Sequence, residues 1–125
     1  MFSPQLLDHF SNPRNAGALD APTVRVRVEN PVCGDILELS AIVEEGRIRE
    51  IRFQARGCTA ALACGSATTL LLEGMDASAL SSVDATRIEA EVGGLETASK
   101  HAARLCADGV KALRAEIANC DGRSG

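Results

Sequence analysis

The sequence predicts a mixed fold in which three consecutive strands form an antiparallel meander and helices lie before and after it. Three observations carry this. Val24, Val26 and Val28 alternate with Arg25, Arg27 and Glu29, a period of two that marks a half-exposed strand. Ile36 to Val43 and Ile48 to Phe53 are two further apolar-rich segments, joined by the turn Glu44-Glu45-Gly46-Arg47, and short links between consecutive strands imply antiparallel pairing. Ala60 to Leu72 is then an almost unbroken helical run of Ala, Leu, Ser and Thr, apolar nearly all round and hence central.

The remaining elements follow in chain order. Ser3 suits an N-cap and Pro4 the first helical position of a short helix to Phe10, with Leu6, Leu7 and Phe10 on its apolar side. His9 reads as a structural histidine rather than a ligand. Ser11 to Gly17 is a loop, in which Arg14 is a solvated charge or a partner contact. Gly74 ends the central helix. Leu80, Val83 and Ile88 fit a short helix and its exit, and Gly93-Gly94 a loop. A last helix runs from about Ser99 to Ala118, with Ala102, Cys106, Val110, Leu113 and Ile117 on one stripe. Cys120 falls beyond it in an exposed polar tail, frayed over 121–125.

Composition bounds the function. The 125 residues are enough for one domain, 1–125, and 46% hydrophobic content excludes a disordered chain. Aromatics are 2%, without Trp or Tyr, and the net charge is −4, which argues against a base-stacking or phosphate-binding surface and so against nucleic acid. No apolar run approaches a membrane span, and no signal peptide is evident at the start, so a cytoplasmic location is expected. Five cysteines in a reducing compartment read as ligands, reactive thiols or core residues rather than as a disulfide set. No Ser/His/Asp set, phosphate loop or paired-carboxylate site stands at recognisable spacing, so the chain is not expected to be an enzyme.

Chemistry concentrates in two places. Arg56-Gly57-Cys58-Thr59-Ala60 is the junction where strand gives way to helix, so the Cys58 thiol should face the unpaired N–H groups of a helix start, which favour the thiolate. Cys33-Gly34-Asp35 is the second. Residues two apart in an extended segment point to one side, so Cys33 and Asp35 can share a site; the same residues also read as a turn aspartate beside a small buried cysteine. Cys64 reads as core. Cys106, at the start of a core stripe, reads equally as core or as site.

These motifs meet in one family. Asp8-His9-Phe10-Ser11-Asn12-Pro13-Arg14-Asn15-Ala16-Gly17, then Asn30-Pro31-Val32-Cys33-Gly34-Asp35, then Gly57-Cys58 with its small-residue helix, and finally Asp108, Val110, Lys111 and Ala112, resemble the IscU/NifU-type iron–sulfur cluster assembly scaffolds over nearly the whole chain. The resemblance implies an α+β fold, a three-stranded antiparallel sheet with helices packed on it. It implies assembly of a [2Fe–2S] cluster from iron and from sulfur supplied by a cysteine desulfurase, transfer to apo iron–sulfur proteins, and zinc held at the same site. Carried over residue by residue, the ligands are Cys33, Asp35, Cys58 and His101, two sulfurs, one oxygen and one nitrogen, a set that suits Zn²⁺ or a cluster. A homodimer sharing a loaded cluster is compatible with this pattern.

The chain departs from the family twice. The family's third cysteine would follow the histidine, where this chain has Ala102; Cys106 lies about 6 Å further along the helix, one turn away, and is the replacement candidate. The family's Leu-Pro-Pro-Val-Lys chaperone-recognition segment would fall on Leu95-Glu96-Thr97-Ala98-Ser99, which keeps only the leucine and argues against delivery through a specialised Hsp70 chaperone. Two alternatives to the scaffold therefore stand beside it: a zinc-dependent sulfur relay through Cys33 or Cys58, and a divergent binding module that has lost assembly.

Overall fold

The computed structural model describes residues 2–124, with side chains through Cys120. Its elements are α1 (Pro4–Ser11), β1 (Val24–Glu29), β2 (Ile36–Glu44), β3 (Arg47–Arg56), α2 (Thr59–Leu72), a 3₁₀ turn (Ala77–Ser82), α3 (Ala85–Glu91), a second 3₁₀ turn (Thr97–Ser99) and α4 (Lys100–Ser124). The sheet has the order β1-β2-β3 and is antiparallel throughout, as the alternation predicts. This is the α+β architecture expected from the resemblance.

The meander is set by its turn and its inner face. Glu45 and Gly46 both have positive φ, 52° and 75°, the backbone that a two-residue hairpin needs to match strand twist. Register then pairs Val26 with Leu39 and Leu39 with Phe53, so the apolar residues of all three strands share one face. Leu37, Leu39, Ala41, Ile51 and Phe53 are buried there, each large side chain contributing about 1.5–3 kcal/mol by leaving water. The outer edge of β3 is partly blocked: Phe53 N–H donates to Asn15 C=O and Gly17 N–H to Phe53 C=O, both at 2.8 Å.

Helix α2 is the centre of the helical layer. Ten of its fourteen residues are buried, which fits a helix apolar on every side rather than an amphipathic one. Its small residues allow close approach: a Cβ on Gly65 would stand 2.6 Å from the Phe53 ring. Helix α4 crosses the sheet in the same way, where a Cβ on Gly109 would stand 2.8 Å from a Leu37 methyl. The expected stripe of Ala102, Cys106, Val110, Leu113 and Ile117 is buried. Helix α4 is longer than the spacing suggested, so Cys120 is within it, half-buried against the core rather than exposed in a tail. The expected fraying over 121–125 concerns side chains and a last residue outside the described ones.

Helix α1 is tied to α2 through a histidine. The Ser3 hydroxyl caps α1 by accepting Leu6 N–H at 3.0 Å, and itself donates to the Val92 carbonyl. His9 is buried, and its Nδ1 is 2.8 Å from Ser66 Oγ on α2. Ser66 Oγ accepts the Arg14 backbone N–H at 2.8 Å, which leaves its own hydrogen for His9. The structural reading of His9 thus holds, and Arg14 is neither purely solvated nor free, since its guanidinium pairs with Asp8 at 2.7 Å.

Burial, and after it the Arg14 guanidinium, hold the His9 pKa below the ordinary value of 6.5, opposed by Asp8 and Glu91. Below about pH 6.5 the unfolded chain takes up a proton that the folded one refuses, so this contribution to stability is full above that pH and lost as pH falls through it. The urea midpoint should therefore fall between pH 7.5 and pH 5.5, and His9→Gln should flatten that fall. An identical slope in the variant would remove His9 as its source.

Candidate metal centre

The loop between β1 and β2 is closed by its own backbone. Asn30 N–H donates to Asp35 C=O at 2.8 Å, Gly34 N–H to Asn30 C=O at 2.7 Å, and Val32 N–H to the Asn30 side chain at 3.0 Å. Gly34 supplies the positive φ, 76°, that lets the chain turn back into β2. The loop carries Val32 and Cys33 into solvent and turns the Asp35 side chain inward, where the residue is 7% exposed.

Asp35 is backed by Gly57. A Cβ at position 57 would meet the Asp35 carboxyl carbon at 2.5 Å and its two oxygens at 2.6 and 2.9 Å. The glycine that marks the strand-to-helix junction in the sequence is thus the space the carboxylate occupies. Sequence reading gave it no such role, because the contact joins residues 22 positions apart, just outside the ends of two paired strands, and no local signal records it.

Cys58 is the N-cap residue of α2, as expected, yet its sulfur makes no hydrogen bond to the helix-start amides. It turns instead toward two other side chains, lying 3.9 Å from Asp35 Oδ2 and 3.6 Å from His101 Nε2. His101, in the first turn of α4, reaches back so that Nε2 is 3.4 Å from the same Asp35 oxygen. Donor atoms of Cys33, Asp35 and His101 also lie within 4.8 Å of one another. The four residues proposed from the sequence are therefore brought to one place.

The remaining cysteines are elsewhere. Cys64 is in the core, as read, with its thiol pKa pushed up by burial. Cys106, read from the sequence equally as core or as the replacement ligand, lies in the core: it is 0% exposed and its thiol is pushed up to about 12 by burial, partly opposed by a hydrogen bond with Thr68. A helical offset of one turn on an inward stripe carries the side chain deeper into the core, not toward the rim. Ala102 is also fully buried and brings no donor atom.

The distances have a chemical meaning. A tetrahedral ion with metal–sulfur bonds of about 2.3 Å and metal–nitrogen or metal–oxygen bonds of about 2.0–2.1 Å has S···N and S···O edges of about 3.6 Å and an N···O edge of about 3.4 Å. The observed triangle of 3.6, 3.9 and 3.4 Å matches one face of such a tetrahedron to within a few tenths of an ångström. Cys33 lies within 4.8 Å of the Asp35 and His101 donor atoms, a group that does not include Cys58, so it stands beside this triangle.

Comparison with known proteins agrees with this layout. The profile of the NifU-like N terminal domain matches residues 1–124. The chain belongs to that family. Among its relatives, the iron-sulfur cluster assembly scaffold protein IscU 1 of Archaeoglobus fulgidus is 34% identical over 111 residues, covering 89% of this chain and 72% of the relative. The nitrogen fixation protein NifU of Cereibacter sphaeroides is 42% identical over 118 residues, covering 94% of this chain and 47% of the relative, so this NifU-like domain spans about half of that protein. The crystal structure of the N-terminal part of a NifU-like protein from Brucella abortus superposes with a TM-score of 0.63 at 19% identity, over 94% of this chain and 90% of that one, and supports the fold.

Gly57→Ala tests how the NifU-like domain holds its carboxylate. The added methyl should displace Asp35 and weaken zinc uptake at least tenfold in a competition titration with a chromogenic chelator, while the far-ultraviolet circular dichroism stays native. Unchanged affinity would mean that Asp35 is not positioned by this contact.

Proposed function

We propose that this chain is an iron–sulfur cluster assembly scaffold that uses Cys33, Asp35, Cys58 and His101 to hold its cargo. The observation that carries the reading is the donor triangle of Asp35 Oδ2, Cys58 Sγ and His101 Nε2, with edges of 3.4, 3.6 and 3.9 Å, set beside an exposed Cys33. Thiolates select zinc and iron–sulfur units over hard cations, and one carboxylate and one imidazole complete a mixed set of four. Such a set serves a single Zn²⁺ or the two irons of a [2Fe–2S] cargo. The names of the relatives, a cluster assembly scaffold and a nitrogen fixation NifU, support the same class.

In this reading sulfur comes from a cysteine desulfurase, iron is added, and the finished unit passes to apo iron–sulfur proteins. Five cysteines with no disulfide among the described residues fit a reducing, cytoplasmic setting. Among the described residues no helix is long and apolar enough to cross a membrane. The zinc-loaded form is the resting state of the same donors, which joins the relay alternative to the scaffold. The buried Asp35 carboxylate is the release ligand: a hard oxygen in a soft site, it forms the weakest of the four bonds to the cargo.

Anaerobic reconstitution with ferrous iron and sulfide tests this. The account expects visible absorption characteristic of a [2Fe–2S] unit, lost in Cys33→Ala and Cys58→Ala and kept in Cys106→Ala. In Asp35→Ala the unit should outlive the parent's several-fold on exposure to a chelator. No cluster in the parent, or a shorter life in Asp35→Ala, would contradict the proposal.

A further inference from the structure

Beside the donor set lies a shallow depression of about 420 Å³, walled by Cys33, His101, Asn30, Val32 and Arg104. Arg104 sits one turn beyond His101 on α4 and is exposed. Among the described residues its guanidinium has no ion-pair or hydrogen-bond partner, although Asp108 is one turn further along the same helix. Arg56, Lys111 and Arg114 are likewise without an ion pair among the described residues, but Arg104 is the one of them that lines the wall of the site. Cys58 is not on this wall; its sulfur is turned to Asp35 and His101.

We propose that Cys33, rather than Cys58, is the thiol at which sulfur enters, and that Arg104 is the positioning residue that draws an anionic sulfane-sulfur donor, a persulfide or polysulfide anion, to it. The inference rests on the sulfur-acceptance step of the proposed function and names the atom and the neighbour involved. In the transfer the Cys33 thiolate attacks the outer sulfur of the donor. An S–S bond forms at Cys33 Sγ as the donor's own S–S bond breaks. The electron pair leaves on the donor's inner sulfur as a thiolate, which takes a proton from solvent. Cys33 is oxidised to the persulfide and the donor is reduced to a thiol. Arg104 faces negative charge on the donor as it arrives and on the leaving thiolate as it forms, so it favours anionic donors over neutral ones. Asp35 lies 3.9 Å from Cys58 and within 4.8 Å of Cys33, and both thiols are exposed, so the Arg104 cation on the Cys33 wall, rather than the carboxylate, distinguishes the two.

Thiol labelling of the metal-free full chain tests this, with each cysteine followed by peptide mass spectrometry. The reagents are dithiobis(nitrobenzoate), a dianionic disulfide, and dithiodipyridine, a neutral one. Cys33 should react before Cys58 with the anionic reagent. Arg104→Gln should slow that reaction at Cys33 about three- to fivefold at low salt, the scale of one exposed charge, with the neutral reagent unaffected and Arg104→Lys restoring most of the rate. The difference should shrink in high salt. With inorganic polysulfide, the added sulfur should appear first on Cys33. Faster labelling or sulfur loading of Cys58, or an anionic-to-neutral rate ratio indifferent to Arg104→Gln, would overturn the inference. Because no metal is present, failure of cluster reconstitution would strike the scaffold reading alone and leave these results to decide this one.

Discussion

The contact between the Asp35 carboxylate and the bare backbone of Gly57 is the constraint on which the site depends. Burying a carboxylate is unfavourable unless partners surround it, and here the partners are the Cys58 thiol and the His101 ring. Position 57 must lack a side chain for the carboxylate to fit. Because Asp35 immediately precedes β2, Gly57 immediately follows β3 and Cys58 is the N-cap of α2, the pairing of Ile36 with Arg56 fixes three of the relevant positions relative to one another. His101 is then set by how α4 lies on the sheet, which the close approach of Gly109 to Leu37 defines. The donors sit on the ends of rigid elements, which hold geometry better than free loops.

Cys33 is the exception. It stands on a turn whose backbone hydrogen bonds keep its shape, yet which projects into solvent with Val32 93% exposed. A site with three donors on element ends and one on a projecting turn has a fixed side and an adjustable side. In the proposed scaffold role, in which cargo enters and leaves, that asymmetry separates holding from exchange. Val32 also gives the turn an apolar tip next to the site, so the same projection that exposes Cys33 presents a surface that a partner can cover.

Much of this was legible in the sequence, and the limits have physical causes. The strands followed from Val24, Val26 and Val28 and from the Gly46 turn, because alternation and positive φ are local properties. The burial of Cys64 followed from the small-residue helix around it. The convergence of Cys33, Asp35, Cys58 and His101 came through family likeness, since no spacing in the chain brings positions 33 and 101 together. The orientation of Cys58 was read wrongly: a helix-start thiol was expected to face the amides, and a carboxylate and an imidazole from other elements compete for it instead. Cys106 was ambiguous because a stripe gives a helix face without giving depth. Cys120 was misplaced because helix α4 continues through a polar sequence with weak stop signals. The link of His9 to Ser66, 57 residues away, left no trace that local reading could use.

X-ray absorption at the zinc edge of the loaded protein tests the central claim most directly, because it counts the ligands by type. The account predicts a four-coordinate ion with two sulfurs at about 2.3 Å and two nitrogen or oxygen ligands at about 2.0–2.1 Å, falling to one sulfur in Cys33→Ser or Cys58→Ser and staying at two in Cys106→Ala. A first shell with three sulfurs, or one unaffected by either Cys33→Ser or Cys58→Ser, would contradict it.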